Sequence, residues 1–437
     1  MNPRHEGISL PVVQPPVARA PRPALPRRTW LFAAWMGVAA AVAALFGLVL
    51  GILAATEAGI GATHWSEVVQ AHGRVQLFGF AAPFAVALAL EFLPRLNQQP
   101  AVPARTRLAL PALLLAGSLA MAAAQLWEPS FAVLGAVGVV AFVAGAAWFA
   151  VLAGWFPSAR PIAIDPQPLF FRAAGAWLAM TAILAGWAFA TAESAILPLD
   201  LSRGIAETFL RGFIMLLIAA VGLRAFPGHL GLHPMSATHQ RLTFAGFNAA
   251  IALWLAAAGL GSLEEVRPLV RIADLMFAAT MLGFTYALGL SASARWRRGQ
   301  PRYATLIPLA WLGAVAFALL LIVEAVLGPD PSLYRDGALR HVFMLGFMAP
   351  LMLAMAHIVL ERFGTGHIPW QNLLTFAFVA VFVAWPLRTA PVLFSDAPSS
   401  LDQAFLGIAG GLTAIGFAST AAVCLRTARE VRHQHRS

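Results

Sequence analysis

Two histidines stand in apolar segments of the sequence, each a short distance before a Gly-Phe pair. His72 lies seven residues before the pair at 79–80, and His341 lies five residues before the pair at 346–347. At about 1.5 Å of rise per residue, the two imidazoles would lie within about 3 Å of the same depth in two helices. Paired neutral imidazoles at one depth suit the two axial positions of a haem iron, and an apolar, helix-lined slot suits the porphyrin.

The chemistry that would surround such a haem is also present in the sequence. No CxxCH motif occurs, so the haem would be bound non-covalently, as a b-type haem. Its propionates would need cationic partners at the same depth. The arginines near the predicted outer helix ends could supply them, and these are Arg74, Arg211, Arg340 and Arg388. The alternative interpretation leaves both histidines as interfacial residues, each hydrogen-bonded to a carbonyl or to water.

A second group of histidines belongs to the predicted inner side of the protein. One inner loop holds imidazole and thioether groups that would suit copper, or that would simply be solvated: His229, His233, Met235 and His239. His357 lies 16 residues inward of His341, or about 24 Å along a helix, so the two cannot bind one iron from the same side. His357 is therefore either part of a second metal site or a hydrogen-bonded core residue.

The composition indicates the elements that must position these residues. The chain has 437 residues, of which 60% are hydrophobic and 11% are charged, whereas soluble proteins have about a quarter charged residues. The apolar residues form runs of about 20, each long enough to cross roughly 30 Å of hydrocarbon. This pattern is typical of an integral membrane protein. The one cysteine, Cys424, excludes an internal disulfide, a cysteine zinc site and an iron–sulfur cluster.

We expect three parts in the chain. Residues 1–28 are rich in proline and arginine and predict a disordered cytoplasmic tail, residues 29–425 predict a transmembrane domain, and residues 426–437 predict a short basic cytoplasmic tail. The first apolar run is too long for a signal-peptide core and shows no clear cleavage site. The twelve apolar runs fall near 29–55, 72–94, 108–126, 130–154, 169–192, 205–226, 241–262, 269–291, 304–327, 338–360, 371–391 and 402–425.

The placement of arginine predicts the orientation. Arginine-rich segments alternate with loops that carry most of the acidic residues, as expected if both termini are cytoplasmic and the number of spans is even. Membrane topology therefore accounts for the net charge of +10, and nothing points to nucleic acid.

A repeat divides the predicted helices into groups. Gly-Phe pairs at 79–80, 212–213 and 346–347 recur at spacings of 133 and 134 residues and fall in spans 2, 6 and 10. The segments around the first and third pairs align without gaps, sharing GFxAP and an arginine at the inner end, Arg95 or Arg362. The sequence thus predicts an all-α membrane protein of twelve helices in three pseudo-repeated four-helix units.

The stretch AHGRVQLFGFAAPF resembles the second helix of haem-copper oxidase catalytic subunits, in which a proline follows the histidine by eleven positions, as Pro83 follows His72 here. Those subunits have twelve helices in three four-helix arcs, with low-spin haem ligands on helices 2 and 10. The resemblance thus implies His72 and His341 as the corresponding pair. The second haem ligand on helix 10 of the oxidases corresponds to Leu339, and their copper-binding histidines and tyrosine have no counterpart. Oxygen reduction of that kind is therefore not expected.

The chain is more closely similar to the NnrS family of bacterial membrane proteins, associated with haem, copper and nitric-oxide stress. The similarity lies in HGRVQLFGFAA, GLRAFPGHLGL, ALRHVFMLGFMAPLMLAMA, TGHIP and PLRTAP. The family's usual His-x-His reads His72-Gly-Arg74 here. Residue matching gives functional weight to His72, Arg224, His341, His367 and Arg388, with His367 joining the candidates for copper or a second metal site.

The resemblance implies a multi-pass protein of the bacterial inner membrane, surrounded by the lipid bilayer. It implies a b-type haem near the outer face and a role in nitric-oxide stress or denitrification, with nitric oxide or a small redox molecule as partner. Two alternatives stay open. One is a transporter or scaffold without haem, for which Pro83 and Pro350 would mark broken helices that face a substrate. The other is a redox enzyme acting on nitric oxide or a quinol. The sequence does not decide whether the protein is an enzyme.

Overall fold

The computed structural model of the chain describes residues 30–56, 64–97, 99–155, 161–260, 265–290, 301–328, 333–393 and 399–434. These residues are helical with short connections, and no strand occurs among them. The predicted tail at 1–28 lies outside the described residues. All-helical folding is expected in a bilayer, because a helix satisfies its own backbone hydrogen bonds.

Twelve helices in the described part of the chain are long and apolar enough to cross a membrane, which confirms the predicted number. They are α1 (Leu31–Thr56), α2 (Trp65–Arg95), α3 (Ala104–Leu126), α4 (Glu128–Gly154), α5 (Gln167–Thr191), α6 (Leu199–Leu230), α7 (Ala237–Leu260), α8 (Arg267–Ala287), α9 (Tyr303–Leu327), α10 (Arg335–Gly364), α11 (Gln371–Leu393) and α12 (Ser400–Gln434). The last helix continues past residue 425, so most of the predicted C-terminal tail is an extension of α12.

Three helices form the interior of the bundle. The most apolar stretches of α2, α6 and α10 are 94%, 89% and 94% buried, against 33–50% for the other nine helices. Those nine pack side by side around the inner three, with close pairs such as α3 with α4, α7 with α8 and α11 with α12. The three buried helices are the ones that carry the Gly-Phe pairs, and they all begin at the same end of the bundle, the predicted outer side.

Each inner helix contains a π-helical segment at its Gly-Phe pair. The segments are Val75–Ala81 in α2, Thr208–Ile214 in α6 and Val342–Met348 in α10. Such segments are rare and frequently lie at functional sites. Their equivalent positions support the prediction of three four-helix units, which stays a prediction, as does the cytoplasmic location of both termini.

Proline accounts for part of this irregularity. Pro83 and Pro350 follow the segments of α2 and α10, and each lacks the N–H that would bond to the carbonyl four residues earlier, on Gly79 or Gly346. α6 has Leu216 at the corresponding place, so proline is not required for the widened turn.

Candidate functional site

The two predicted histidines lie next to each other, each just before the π-helical segment of its helix. His341 is the residue directly before the segment in α10, and His72 lies in the last α-helical turn before the segment in α2. Their ring centroids are 6.3 Å apart and their planes differ by 10°. The structure therefore brings together two imidazoles that are 269 residues apart in the chain.

Both imidazoles are oriented by a backbone carbonyl. Nδ1 of His72 lies 2.6 Å from the carbonyl oxygen of Gly47 in α1, and Nδ1 of His341 lies 2.6 Å from that of Gly337. A carbonyl only accepts, so each Nδ1 carries the proton and donates. In the neutral rings Nε2 is then the free nitrogen, and metal-binding histidines are held by the same kind of hydrogen bond.

The spacing of the two rings fits a shared metal. Two imidazoles that bind one metal ion from opposite sides, each through a nitrogen at about 2 Å, have ring centroids roughly 6 Å apart. The observed separation is 6.3 Å, and the rings are nearly parallel. The centroid distance is therefore compatible with one metal ion bound between the two rings.

The histidines line a cavity of 640 Å³, which we call the histidine cavity. Its walls come from α1, α2, α6, α10, α11, α12 and the segment before α6. Much of the lining is apolar, including Phe78, Leu210, Met344 and Phe417. Pockets for cofactors and other small molecules measure roughly 300–1,000 Å³ and are mostly apolar with a few polar groups. Size and lining therefore suit a flat, largely apolar cofactor.

The charged residues in this cavity are positive. Arg74, Arg340 and Arg388 line it, and no Asp or Glu among the described residues does. Arg388 interacts electrostatically with both imidazoles and has no ion pair or hydrogen bond within the described part of the chain. A cation without a counter-charge is costly inside a membrane protein. The charge of the cavity lining is thus complementary to a negatively charged ligand.

The other two arginines of the cavity are already partly engaged. Nε of Arg74 donates to Oε1 of Gln125 at 2.6 Å, and its guanidinium stacks on the Phe189 ring at 4.7 Å. Nε of Arg340 donates to Oε1 of Glu207 at 3.3 Å. Because a guanidinium has five N–H donors, both arginines keep donors for an anionic ligand.

The structure places the fourth predicted arginine elsewhere. Arg211 does not line the histidine cavity. Its Nε lies 2.7 Å from Oε2 of Glu207, and its Nη1 is paired with Asp274 of α8. The carboxylates of α6 and α8 thus provide the counter-charge of Arg211.

One contributor to the site, helix α1, was not predicted. A Cβ at Gly51 would lie 2.5 Å from Cε1 of His72, and one at Gly47 would lie 2.5 Å from Nε2 of Gln76. Gln76 also donates to the carbonyl of Ala43 at 3.4 Å. The two glycines therefore form the surface of α1 that receives α2, and the motif Gly47-x-x-x-Gly51 is the sequence signal for such a close approach.

A second unpredicted residue, Gln70, fastens the segment that precedes α6. Its Nε2 donates to the carbonyl of Leu197 at 2.8 Å, and its Oε1 accepts from the backbone N–H of Leu197 at 3.0 Å. Gln125 donates to the same Oε1 at 2.6 Å. Because Leu197 and its neighbours line the histidine cavity, Gln70 holds part of the cavity wall in place. Nothing in the sequence signals this contact.

The residues considered for copper have separate neighbours. Nδ1 of His357 donates to the carbonyl of Leu353 at 3.0 Å, and its Nε2 lies 3.3 Å from the Thr375 hydroxyl. Nδ1 of His239 lies 2.8 Å from the Ser236 hydroxyl. These side chains are held by hydrogen bonds to the protein.

The remaining candidates are equally dispersed. The ring of His229 packs edge-on against Tyr303, and His367 lies 3.7 Å from Glu430. Within the described ranges, no three or more His, Cys, Asp or Glu side chains are grouped closely enough to hold a metal ion. The structure therefore does not assemble a metal site of that kind from His229, His233, Met235, His239, His357 and His367.

The family model described as NnrS protein matches residues 27–432, a range that includes all the described helices up to the last turn of α12. No curated protein matches the chain significantly.

Proposed function

We propose that this chain, which belongs to the NnrS family, is a haem-binding protein of the bacterial inner membrane that acts in the response to nitric oxide. One observation carries the haem part of the proposal. Two partly buried imidazoles, each donating from Nδ1 to a backbone carbonyl, lie nearly parallel at a centroid distance of 6.3 Å in a large, mostly apolar cavity. The response to nitric oxide rests on the family.

Different residues of the histidine cavity would hold different parts of a b-type haem. His72 and His341 would hold the haem iron through Nε2, and the carbonyls of Gly47 and Gly337 accept the hydrogen bond from Nδ1 of each ring. Arg388 would pair with a propionate. The remaining N–H donors of Arg74 and Arg340 would form charge-assisted hydrogen bonds with the propionates.

When bound, such a haem would supply one-electron redox chemistry or a binding position for a diatomic molecule. Two protein ligands favour electron transfer or sensing. The apolar walls and the segment held by Gln70 limit the access of water to the site.

The alternative of a transporter without haem is less well supported. It predicted helices broken at Pro83 and Pro350, near the middle of the membrane. Both prolines lie in the first turn of a helical stretch that follows a π-helical segment, and α2 and α10 continue through them.

The function is tested by survival under nitric oxide. A bacterial host that lacks its own nitric-oxide-consuming enzymes would express the wild type, His72→Ala, His341→Ala or the control His357→Ala. We expect wild type and control to shorten the growth arrest caused by a nitric-oxide donor, and both cavity variants to lose this effect. Equal protection by the cavity variants would refute a haem-based function, and no protection by the wild type would refute the role against nitric oxide.

A further inference from the structure

A second cavity lies at the same end of the bundle, between α6 and α10 and closed by α8 and α9. It measures about 110 Å³, and we call it the arginine cavity. Among the residues described, its charged lining consists of Arg203, Glu207, Arg211, Arg267, Arg271, Asp274, Glu324, Arg335, Asp336 and Arg340. Six arginines therefore face four carboxylates.

All four carboxylates are already paired. Nη1 of Arg203 lies 3.1 Å from Oδ2 of Asp336, and Nε of Arg335 lies 3.7 Å from Oε1 of Glu324. Asp274 is paired with Arg211. Each of the four carboxylates of this cavity thus has an arginine partner.

Glu207 has to serve two of the arginines. Its Oε2 lies 2.7 Å from Nε of Arg211, and its Oε1 accepts from Nε of Arg340 at 3.3 Å. Arg340 lines both the arginine cavity and the histidine cavity. Leu210 also lines both cavities, so the two cavities are neighbours.

Arg271 has no ion pair or hydrogen bond among the residues that the structure describes, although it lines the cavity. Its guanidinium lies against Gly328, at the end of α9, where φ is 57°. Arg271 is only partly exposed, and a charge that is partly removed from water is stabilised by a nearby counter-charge. Arg271 is therefore a cation of this cavity without a counter-charge among the described residues, and a place for a negatively charged ligand.

We propose that the arginine cavity binds a small oxyanion, with Arg271 as its principal contact. The planar guanidinium presents parallel N–H groups that match two oxygens of a carboxylate-like or nitrate-like anion. The volume limits the ligand to a few heavy atoms, because one water molecule takes up about 30 Å³ and cofactor pockets begin at roughly 300 Å³. The site shares Arg340 with the histidine cavity, but its principal contact, Arg271, lies outside that cavity.

The test uses the purified full chain in detergent, with nitrate as the probe. Thermal unfolding is followed by tryptophan fluorescence while nitrate is titrated at constant ionic strength against gluconate. A ligand that binds only the folded protein raises the unfolding midpoint in a saturable way. We expect such a rise for the wild type and for the control Arg429→Gln, an exposed arginine at the other end of the bundle, and its loss in Arg271→Gln.

A second variant tests the charge argument in the opposite direction. Glu324→Gln removes one negative charge from the lining of the cavity, so half-saturation should occur at a several-fold lower nitrate concentration. No saturable rise in the wild type would overturn the site, as would an unchanged response in Arg271→Gln or weaker binding in Glu324→Gln. An equal effect of chloride would overturn the assignment to an oxyanion. The nitrate titration compares samples at one fixed haem content, including none, so the proposed function and this site can fail separately.

Discussion

His72 lies in a groove of α1 that exists because residue 51 is glycine. The imidazole is so close that a Cβ at Gly51 would come within 2.5 Å of its Cε1 and 2.7 Å of its Nδ1. The same imidazole donates to the carbonyl of Gly47, one turn earlier in α1. The position of the proposed axial ligand therefore depends on two glycines of a neighbouring helix.

Gly51→Ala should displace His72 without removing it. The added methyl group cannot fit beside the ring, so we expect haem content to fall several-fold in the purified protein, measured by absorbance per polypeptide. Gly411→Ala in α12 is the matched control, because a Cβ there meets no atom within 4 Å. Wild-type haem content in Gly51→Ala would contradict the placement of His72.

Arg388→Gln should weaken haem binding while leaving the axial ligands in place. A hydrogen bond to a charged group contributes about 1.5–3 kcal/mol, so the affinity should fall by about 10- to 100-fold. Titration of haem into the apoprotein measures this, and Arg388→Lys, which keeps the charge, should recover part of the loss. An affinity equal to that of the wild type would show that Arg388 holds no propionate.

Glu207→Ala should destabilise the protein strongly. It leaves Arg340 and one side of Arg211 without a carboxylate, and breaking a buried pair costs about 3–5 kcal/mol. The comparison is Glu430→Ala, which removes the partner of the half-exposed Arg426 and should cost less than about 1 kcal/mol. Denaturant unfolding in detergent measures both, and similar losses would contradict the role assigned to burial.

Gln70→Ala should loosen the wall of the histidine cavity. It removes both hydrogen bonds to Leu197, each contributing about 0.5–1.5 kcal/mol. We expect faster amide hydrogen exchange in the segment before α6 and unchanged exchange in the middle of α3. Unchanged protection at Leu197 would show that other contacts hold this segment.

The sequence was sufficient for the parts of the fold that depend on the bilayer. The number of spans follows from the length of apolar segment that a membrane requires, and the depth of His72 and His341 follows from the rise of a helix. The direction in which a side chain points was harder to predict from the sequence. Arg211 and Gln76 lie inside π-helical segments, where the widened turn breaks the 3.6-residue period used to assign faces.

Contacts between distant helices were the other limit. Gln70 meets Leu197 across 127 residues, and no periodicity in either segment indicates that pair. The contact of α1 with His72 did have a signal, because Gly47 and Gly51 form a small-xxx-small motif. The histidine pair was predicted since its depth is a local property, whereas the helix that supports His72 was not.

The central claim is that His72 and His341 bind one haem, and the visible spectrum of the purified protein tests it most directly. Oxidised and dithionite-reduced spectra would be recorded for the wild type, His72→Ala, His341→Ala and the control His357→Ala, a buried histidine of α10 outside the cavity. The account predicts a six-coordinate b-type haem in the wild type and the control, and loss of haem or of one axial ligand in each cavity variant. A wild-type protein without haem b, or an unchanged haem spectrum in both cavity variants, would contradict it.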